Sequence, residues 1–310
     1  MKYSYFPGCN LKTNSVGFEE TAIAVSKKLN AELVEMPEWN CCGTIHTQTT
    51  DNLMKRIAPV RNLARAAEHV KNLENSSKEV IHKQVVTLCS MCNSTLKIVN
   101  AEVKEDTDKL EPINWQLEYD NLEYKGDMEV KHFLEILRDD IGYETIMESV
   151  EKPLKGMRIA SYYGCMLLHP EIAKIDDQEA PTVMESIVQA LGAEVIDWPF
   201  FKFCCGSYHI VGEEDLVNIQ VHTLIDAAKK RNANSIIVAC PLCRYNLEHE
   251  QIELIKNGKM KNSLPIFYFT QLMALALGIK PMKLYHFEEH LVNPKPFLKE
   301  LGLIGRKKSK

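Results

Sequence analysis

VVTLCSMC (residues 85–92) and SIIVACPLC (residues 235–243) each run from an apolar stretch into a Cys-x-x-Cys and on into a helix-forming segment. A short, β-branched apolar run closed by such a turn reads as a strand buried on both faces, the kind a parallel sheet needs. The same order of strand, cysteine loop and helix extends outward from both stretches. In the first half, residues 2–6 read as a strand, 15–30 as an amphipathic helix, 32–36 as a strand and 52–73 as a helix. The second half repeats the rhythm with 157–163, 181–191, 194–198 and 214–231. Alternation of this kind predicts parallel sheets covered by helices.

All ten cysteines belong to two copies of one pattern: a lone Cys, a Cys-Cys-Gly and a Cys-x-x-Cys. The first copy is Cys9, Cys41-Cys42-Gly43 and Cys89-x-x-Cys92; the second is Cys165, Cys204-Cys205-Gly206 and Cys240-x-x-Cys243. The copies are offset by similar distances, from 9 to 165, from 41 to 204 and from 89 to 240. Other stretches repeat too: YFPGC at 5–9 against YYGC at 162–165, ELVEMP at 32–37 against EVIDWP at 194–199, and VKHFLEIL at 130–137 against IFYFTQLM at 266–273. This is a domain duplication, not an array of short repeats. The predicted fold is therefore α/β, two duplicated Rossmann-like domains at 1–150 and 151–310, each a mostly parallel sheet flanked by helices. Because each cysteine group follows a predicted strand, the thiols are expected at the carboxyl rim of the sheet, where open α/β sheets collect ligands. The polar stretch 72–83 reads as a surface insertion, and the charged, patternless 102–126 as an exposed excursion.

Composition narrows the function classes. The 310 residues are 45% hydrophobic and 25% charged with a net charge of −5, an ordinary globular balance that gives no support for a nucleic-acid partner. The longest apolar stretch, 266–279, is interrupted by Thr270-Gln271 and too short to span a bilayer. No secretory signal is visible in MKYSYFPGC, so a cytoplasmic protein is expected and the cysteines read as metal or redox ligands, not staples. No G-x-G-x-x-G fingerprint is present, so neither nucleotide nor flavin is expected in this chain.

Thiolates gathered this way suit iron–sulfur chemistry or zinc. A cubane four-iron cluster or a structural zinc takes four protein ligands, whereas each half offers five, and consecutive cysteines fit two adjacent irons better than one ion. Spacing alone leaves the centre's type open. Gly43 and Gly206 are positioned to let the backbone turn with positive φ. His46 and His209 each follow the second Cys of their pair by four residues, which makes them candidates for proton donation or for tuning a centre's potential; a helix-start residue kept through duplication is the plainer alternative. Trp39 and Trp198 precede the pairs and suit either shielding or core packing.

The order Cys, Cys-Cys-Gly, Cys-x-x-Cys, duplicated over about 300 residues, resembles the CCG-domain proteins, specifically the HdrB subunits of heterodisulfide reductases. YFPGC (5–9), PEWNCCG (37–43), TLCSMCNSTLK (87–97) and the second CCG carry the likeness. What the resemblance implies is an iron–sulfur catalytic subunit with two noncubane 4Fe–4S clusters. Cys9, Cys41, Cys42, Cys89 and Cys92 would hold one, and Cys165, Cys204, Cys205, Cys240 and Cys243 the other. It further implies homolytic cleavage of a disulfide, the coenzyme M–coenzyme B heterodisulfide or an analogue, with one electron from each cluster, and partnership with flavin-bearing HdrA and ferredoxin-like HdrC subunits. The alternatives are a noncatalytic electron-transfer module feeding a fumarate, succinate, lactate or methylenetetrahydrofolate enzyme, and a zinc-bound scaffold.

Overall fold

The computed structural model describes residues 1–44 and 52–305. Two four-stranded sheets organise the chain, and every strand pairing in both is parallel. The first contains β1 (Lys2–Phe6), β2 (Glu32–Glu35), β3 (Ile81–Thr87) and β4 (Glu129–His132) in the order β2-β1-β3-β4. The second contains β5 (Arg158–Tyr162), β6 (Glu194–Ile196), β7 (Ser235–Val238) and β8 (Ile266–Tyr268) in the order β6-β5-β7-β8. The α/β prediction thus holds, and the two sheets repeat one strand order.

The central strands are the apolar ones. Tyr3, Tyr5, Phe6, Val85 and Val86 are buried in the first sheet, and all four residues of β7 in the second. Each fully buried aliphatic or aromatic side chain of this kind contributes about 1.5–3 kcal/mol relative to exposure. Helix Ile57–Ser76 covers the first sheet with Val60, Leu63, Ala64, Ala67 and Val70, the i, i+3, i+4, i+7 stripe of a core-facing helix. His69 on that helix bonds Ser4 of β1, Nδ1 to Oγ, at 3.0 Å.

By their internal contacts, Met1–Thr13, Ser26–Ile141 and Met166–Gln178 form one compact unit; Asn14–Val25, Gly142–Cys165 and Glu179–Lys310 form a second. Within the second, Phe18 stacks on Tyr268 at 4.2 Å between ring centroids, and the Thr21 and Thr270 hydroxyls are hydrogen-bonded at 2.8 Å. Within the first, the Arg138 guanidinium donates to the Ile175 carbonyl at 2.6 Å.

One expectation is refined and one corrected. Residues 72–83 lie on the surface as expected, but most of them belong to regular elements: the helix runs to Ser76 and β3 begins at Ile81. Residues 102–126 are not an exposed excursion. A helix spans Thr107–Leu117, Ile113 and Leu117 face the core one turn apart, and Leu122 and Tyr124 are buried. Asn114 holds the segment that returns to β4 by bonding both the N–H and the carbonyl of Tyr124 at 2.9 Å. Among the described residues no helix is long and apolar enough to cross a membrane. Most of the apolar stretch 266–279 is taken up by β8 and helix Phe269–Ala276, whose eight side chains are all buried.

Candidate metal centre

In a sheet ordered 2-1-3-4, the connections from the two central strands leave in opposite directions, and the crevice at that switch point is where ligands bind. Cys9 follows β1 and Cys89 follows β3, the two strands flanking the switch, while Cys41 and Cys42 follow the neighbouring β2. In the second sheet, Cys165 follows β5, Cys240 follows β7, and Cys204 and Cys205 follow β6. Topology therefore delivers five thiols to one rim in each half. Cys89 and Cys240 are the N-cap residues of helices Ser90–Glu105 and Pro241–Lys256, where the helix dipole favours thiolate charge.

The five sulfurs of each half contact one another in the same order. Cys41 accepts hydrogen bonds from Cys42 and Cys9; these and the Gly43 N–H outweigh its partial burial and hold its pKa far below that of a free thiol. Cys204 is held down in the same way, by Cys165, Cys205 and the Gly206 N–H, with the charge of His209 adding to them. The partners shift upward: Cys9 through its bond to Cys41 and partial loss of hydration, and Cys165 through its bond to Cys204 and its burial. Cys92 and Cys243 are raised by their bonds to Cys42 and Cys89, and to Cys205 and Cys240, as well as by burial. Cys205 and Cys243 lie 3.5 Å apart, sulfur to sulfur. All ten thiols are free of disulfides. In the first half Cys42, Cys89 and Cys92 are buried while Cys9 and Cys41 are exposed; in the second, Cys205, Cys240 and Cys243 are buried while Cys165 and Cys204 are half-buried.

The loops are shaped around the sulfurs. Gly8 has φ +73° and a Cβ there would stand 3.0 Å from the Cys92 sulfur; Gly164, φ +65°, would place one 3.3 Å from that of Cys243. Gly43 and Gly206 adopt φ +87° and +92°, the positive values expected of them, and the next residues, Thr44 and Ser207, are left-handed as well. These paired left-handed residues turn the chain back under the cysteine pair.

The remaining candidates are placed as follows. His209 is exposed in the turn Ser207–Val211; His46 lies outside the described residues. Trp198 is buried against Tyr162 and donates its indole N–H to the Ser161 carbonyl at 2.8 Å. Trp39 is half-buried, edge-on to Phe6 at 6.1 Å. Phe6 and Tyr162 occupy the same position, three residues before the lone cysteine, so both tryptophans buttress the ring beneath the loop. Sequence reasoning missed Thr95 and Asn246, each three residues beyond its Cys-x-x-Cys, which bond the cysteine-pair loops; their matched spacing was the available signal. A surface groove of about 640 Å³ along helix Thr107–Leu117 is lined by Leu110, Trp115 and Glu118 and by none of the cysteines.

Five soft donors per half, one already favoured as thiolate, with backbone room cleared for sulfur, fit an iron–sulfur centre and exceed the four ligands of a structural zinc. The family model described as Cysteine-rich domain (CCG) matches the chain twice, at residues 3–97 and 159–248. The chain is 31% identical to the 8-methylmenaquinol:fumarate reductase membrane anchor subunit of Wolinella succinogenes, over 91% of this chain and 94% of that one. It is 27% identical to the B subunit of the ferredoxin:CoB-CoM heterodisulfide reductase of Methanosarcina mazei, over 98% of both. Among solved structures, a hypothetical protein from Helicobacter pylori shares the fold with a TM-score of 0.70 at 13% identity; the match covers 94% of this chain and about half, 52%, of that one.

Proposed function

Because the chain belongs to the cysteine-rich domain (CCG) family, carrying that domain twice, we propose that it is the iron–sulfur HdrB-type subunit of a heterodisulfide reductase-type complex and that it reduces a disulfide. The repeats are 1–150 and 151–310. Cys9, Cys41, Cys42, Cys89 and Cys92 hold one noncubane 4Fe–4S cluster, and Cys165, Cys204, Cys205, Cys240 and Cys243 the other. The observation that carries this reading is the identical chain of five mutually contacting thiols in each half. Bound iron–sulfur centres supply single-electron steps, and two electrons with two protons convert one disulfide into two thiols.

The chain's own residues set the rest. The buried cysteines close each site from the core side, so substrate approaches on the side of Cys9 and Cys41, or of Cys165 and Cys204. His209, exposed four residues beyond Cys205, supplies a proton to a departing thiolate, and His46 does so in the other half. Flavin-bearing HdrA and ferredoxin-like HdrC subunits bring the electrons.

The test is iron, sulfide and zinc content of anaerobically purified protein, followed by oxidation of a reduced viologen dye with disulfide as acceptor. About eight irons per chain and disulfide-dependent dye oxidation are expected. A colourless, zinc-loaded protein that resists anaerobic reconstitution would overturn the proposal. The resemblance to a fumarate reductase subunit favours one second reading, a noncatalytic relay to a partner oxidoreductase. That reading predicts the same iron content with no turnover of any disulfide.

A further inference from the structure

Outside the thiol groups, one set of side chains in the second unit gathers metal-type ligands with no lysine or arginine paired to them. Glu214 opens helix Glu214–Lys230, and His249 and Glu250 lie in helix Pro241–Lys256. One donor atom from each lies within 4.8 Å of the other two. Glu250 is fully buried; its Oε1 is 2.9 Å from His249 Nδ1, but its Oε2 has no hydrogen-bond partner. An unsatisfied carboxylate oxygen removed from water costs several kcal/mol unless a proton or a cation meets it. Among the described residues no lysine or arginine pairs with Glu214 or Glu250. Tyr245 stacks on the His249 ring at 5.4 Å and fixes its plane.

We propose that Glu214, His249 and Glu250 form a binding site for a divalent cation of the zinc class, separate from the cysteine centres. One imidazole and two carboxylates are nitrogen and oxygen donors that zinc, a borderline ion, accepts, and three protein ligands leave a fourth position for water on the exposed Glu214 side. Ligands about 2.0–2.2 Å from zinc stand about 3.4 Å apart in a tetrahedron, so rotamer adjustment suffices to close the set. The ion would tie together the two helices that follow the second cysteine pair and the second Cys-x-x-Cys, the latter carrying Cys243 and Asn246. The site takes nothing from the disulfide-reductase reading and stands or falls separately from it.

The experiment is equilibrium dialysis of anaerobic, cluster-loaded protein against chelator-buffered zinc, with zinc and iron counted on the same sample. Wild type is expected to bind about one zinc per chain more than Glu214→Gln or His249→Ala at equal iron, and the variants to need at least tenfold more free zinc. Zinc held by exposed thiols is common to all three proteins and cancels. Glu214 is exposed, so its glutamine variant is expected to fold; equal melting temperatures without zinc verify this, and zinc is expected to raise that of wild type alone. Equal zinc in wild type and both variants, or no zinc in wild type, overturns the proposal.

Discussion

Asn246 donates from its side-chain amide to the carbonyl of Ser207 at 2.9 Å and to that of Cys205 at 3.0 Å. At the same place in the first half, the Thr95 hydroxyl donates to the carbonyl of Thr44 at 3.3 Å. Thr44 and Ser207 are the left-handed residues directly after the two Cys-Cys-Gly motifs. In each half, then, the helix that starts at the Cys-x-x-Cys reaches across and fixes the loop that carries the cysteine pair. Asn246→Ala leaves the buried Cys205 carbonyl and the partly buried Ser207 carbonyl without their donor, a cost of about 1–3 kcal/mol. The expected outcome is faster iron loss to a chelator from one half of the molecule and a lower melting temperature. Asn246→Thr, with a single hydroxyl donor of the kind Thr95 supplies, is expected to recover part of both. Iron retention by Asn246→Ala equal to wild type would show the clamp to be dispensable.

Gly8 and Gly164 test the space left for sulfur. A side chain at either position meets left-handed strain of about 1–2 kcal/mol in addition to the contact with the Cys92 or Cys243 sulfur. The closer approach at Gly8, 3.0 Å against 3.3 Å, predicts that Gly8→Ala loses more iron than Gly164→Ala. Iron per chain after anaerobic reconstitution checks the order of the two variants.

Much of this architecture was legible because function and periodicity coincide: the apolar runs of β3 and β7 end at cysteines, so one signal located both strand and site. The fourth strands were not read, although the likeness between 130–137 and 266–273 marked their place. β8 is three residues long and passes directly into a helix, too short for any period to register. The helix Thr107–Leu117 was hidden by Pro112 in its interior and by charged residues around its two buried contacts, Ile113 and Leu117. The Asn246 clamp left only one trace in the sequence, its spacing from Cys243 matching that of Thr95 from Cys92, and its partner could not be read there. An asparagine on a helix does not announce its partner until the loop it reaches, some forty residues earlier in the chain, has folded beside it.

Removing the first cysteine of each pair separates a two-centre mechanism from a one-centre one. Cys41 and Cys204 each stand second in their sulfur chain, between the lone cysteine and the second cysteine of the pair, accepting from both neighbouring thiols. Cys41→Ala and Cys204→Ala are each expected to lose about half of the iron and to abolish two-electron disulfide reduction, while the other half keeps its centre. Full turnover by both variants would exclude the two-centre mechanism.

Acid sensitivity is expected to concentrate in the first unit, through His132. Its Nε2–H donates to the carbonyl of Leu88, the residue before Cys89, at 2.7 Å, and its Nδ1 accepts the Leu134 N–H at 3.2 Å. Both ring nitrogens are committed in the neutral form, and a second proton would have to displace the Leu134 bond. Complete burial, aided by the charge of Lys97 and only partly opposed by the bond to Leu88, pushes the pKa down to about 3, against about 6.5 for an unfolded histidine. The unfolded chain therefore takes up a proton that the folded one refuses. The stability His132 contributes is complete above about pH 6.5 and is lost as pH falls toward 3, with a slope of at most about 1.4 kcal/mol per pH unit. Tyr268 stands at the corresponding position of the second unit and does not titrate in this range, so the second unit lacks this liability. Urea unfolding from pH 7 to pH 4 is expected to show a flatter decline for His132→Gln than for wild type, after the variant's lower stability at pH 7 is subtracted. Parallel declines would place the acid sensitivity elsewhere than in the tie between β4 and the first Cys-x-x-Cys.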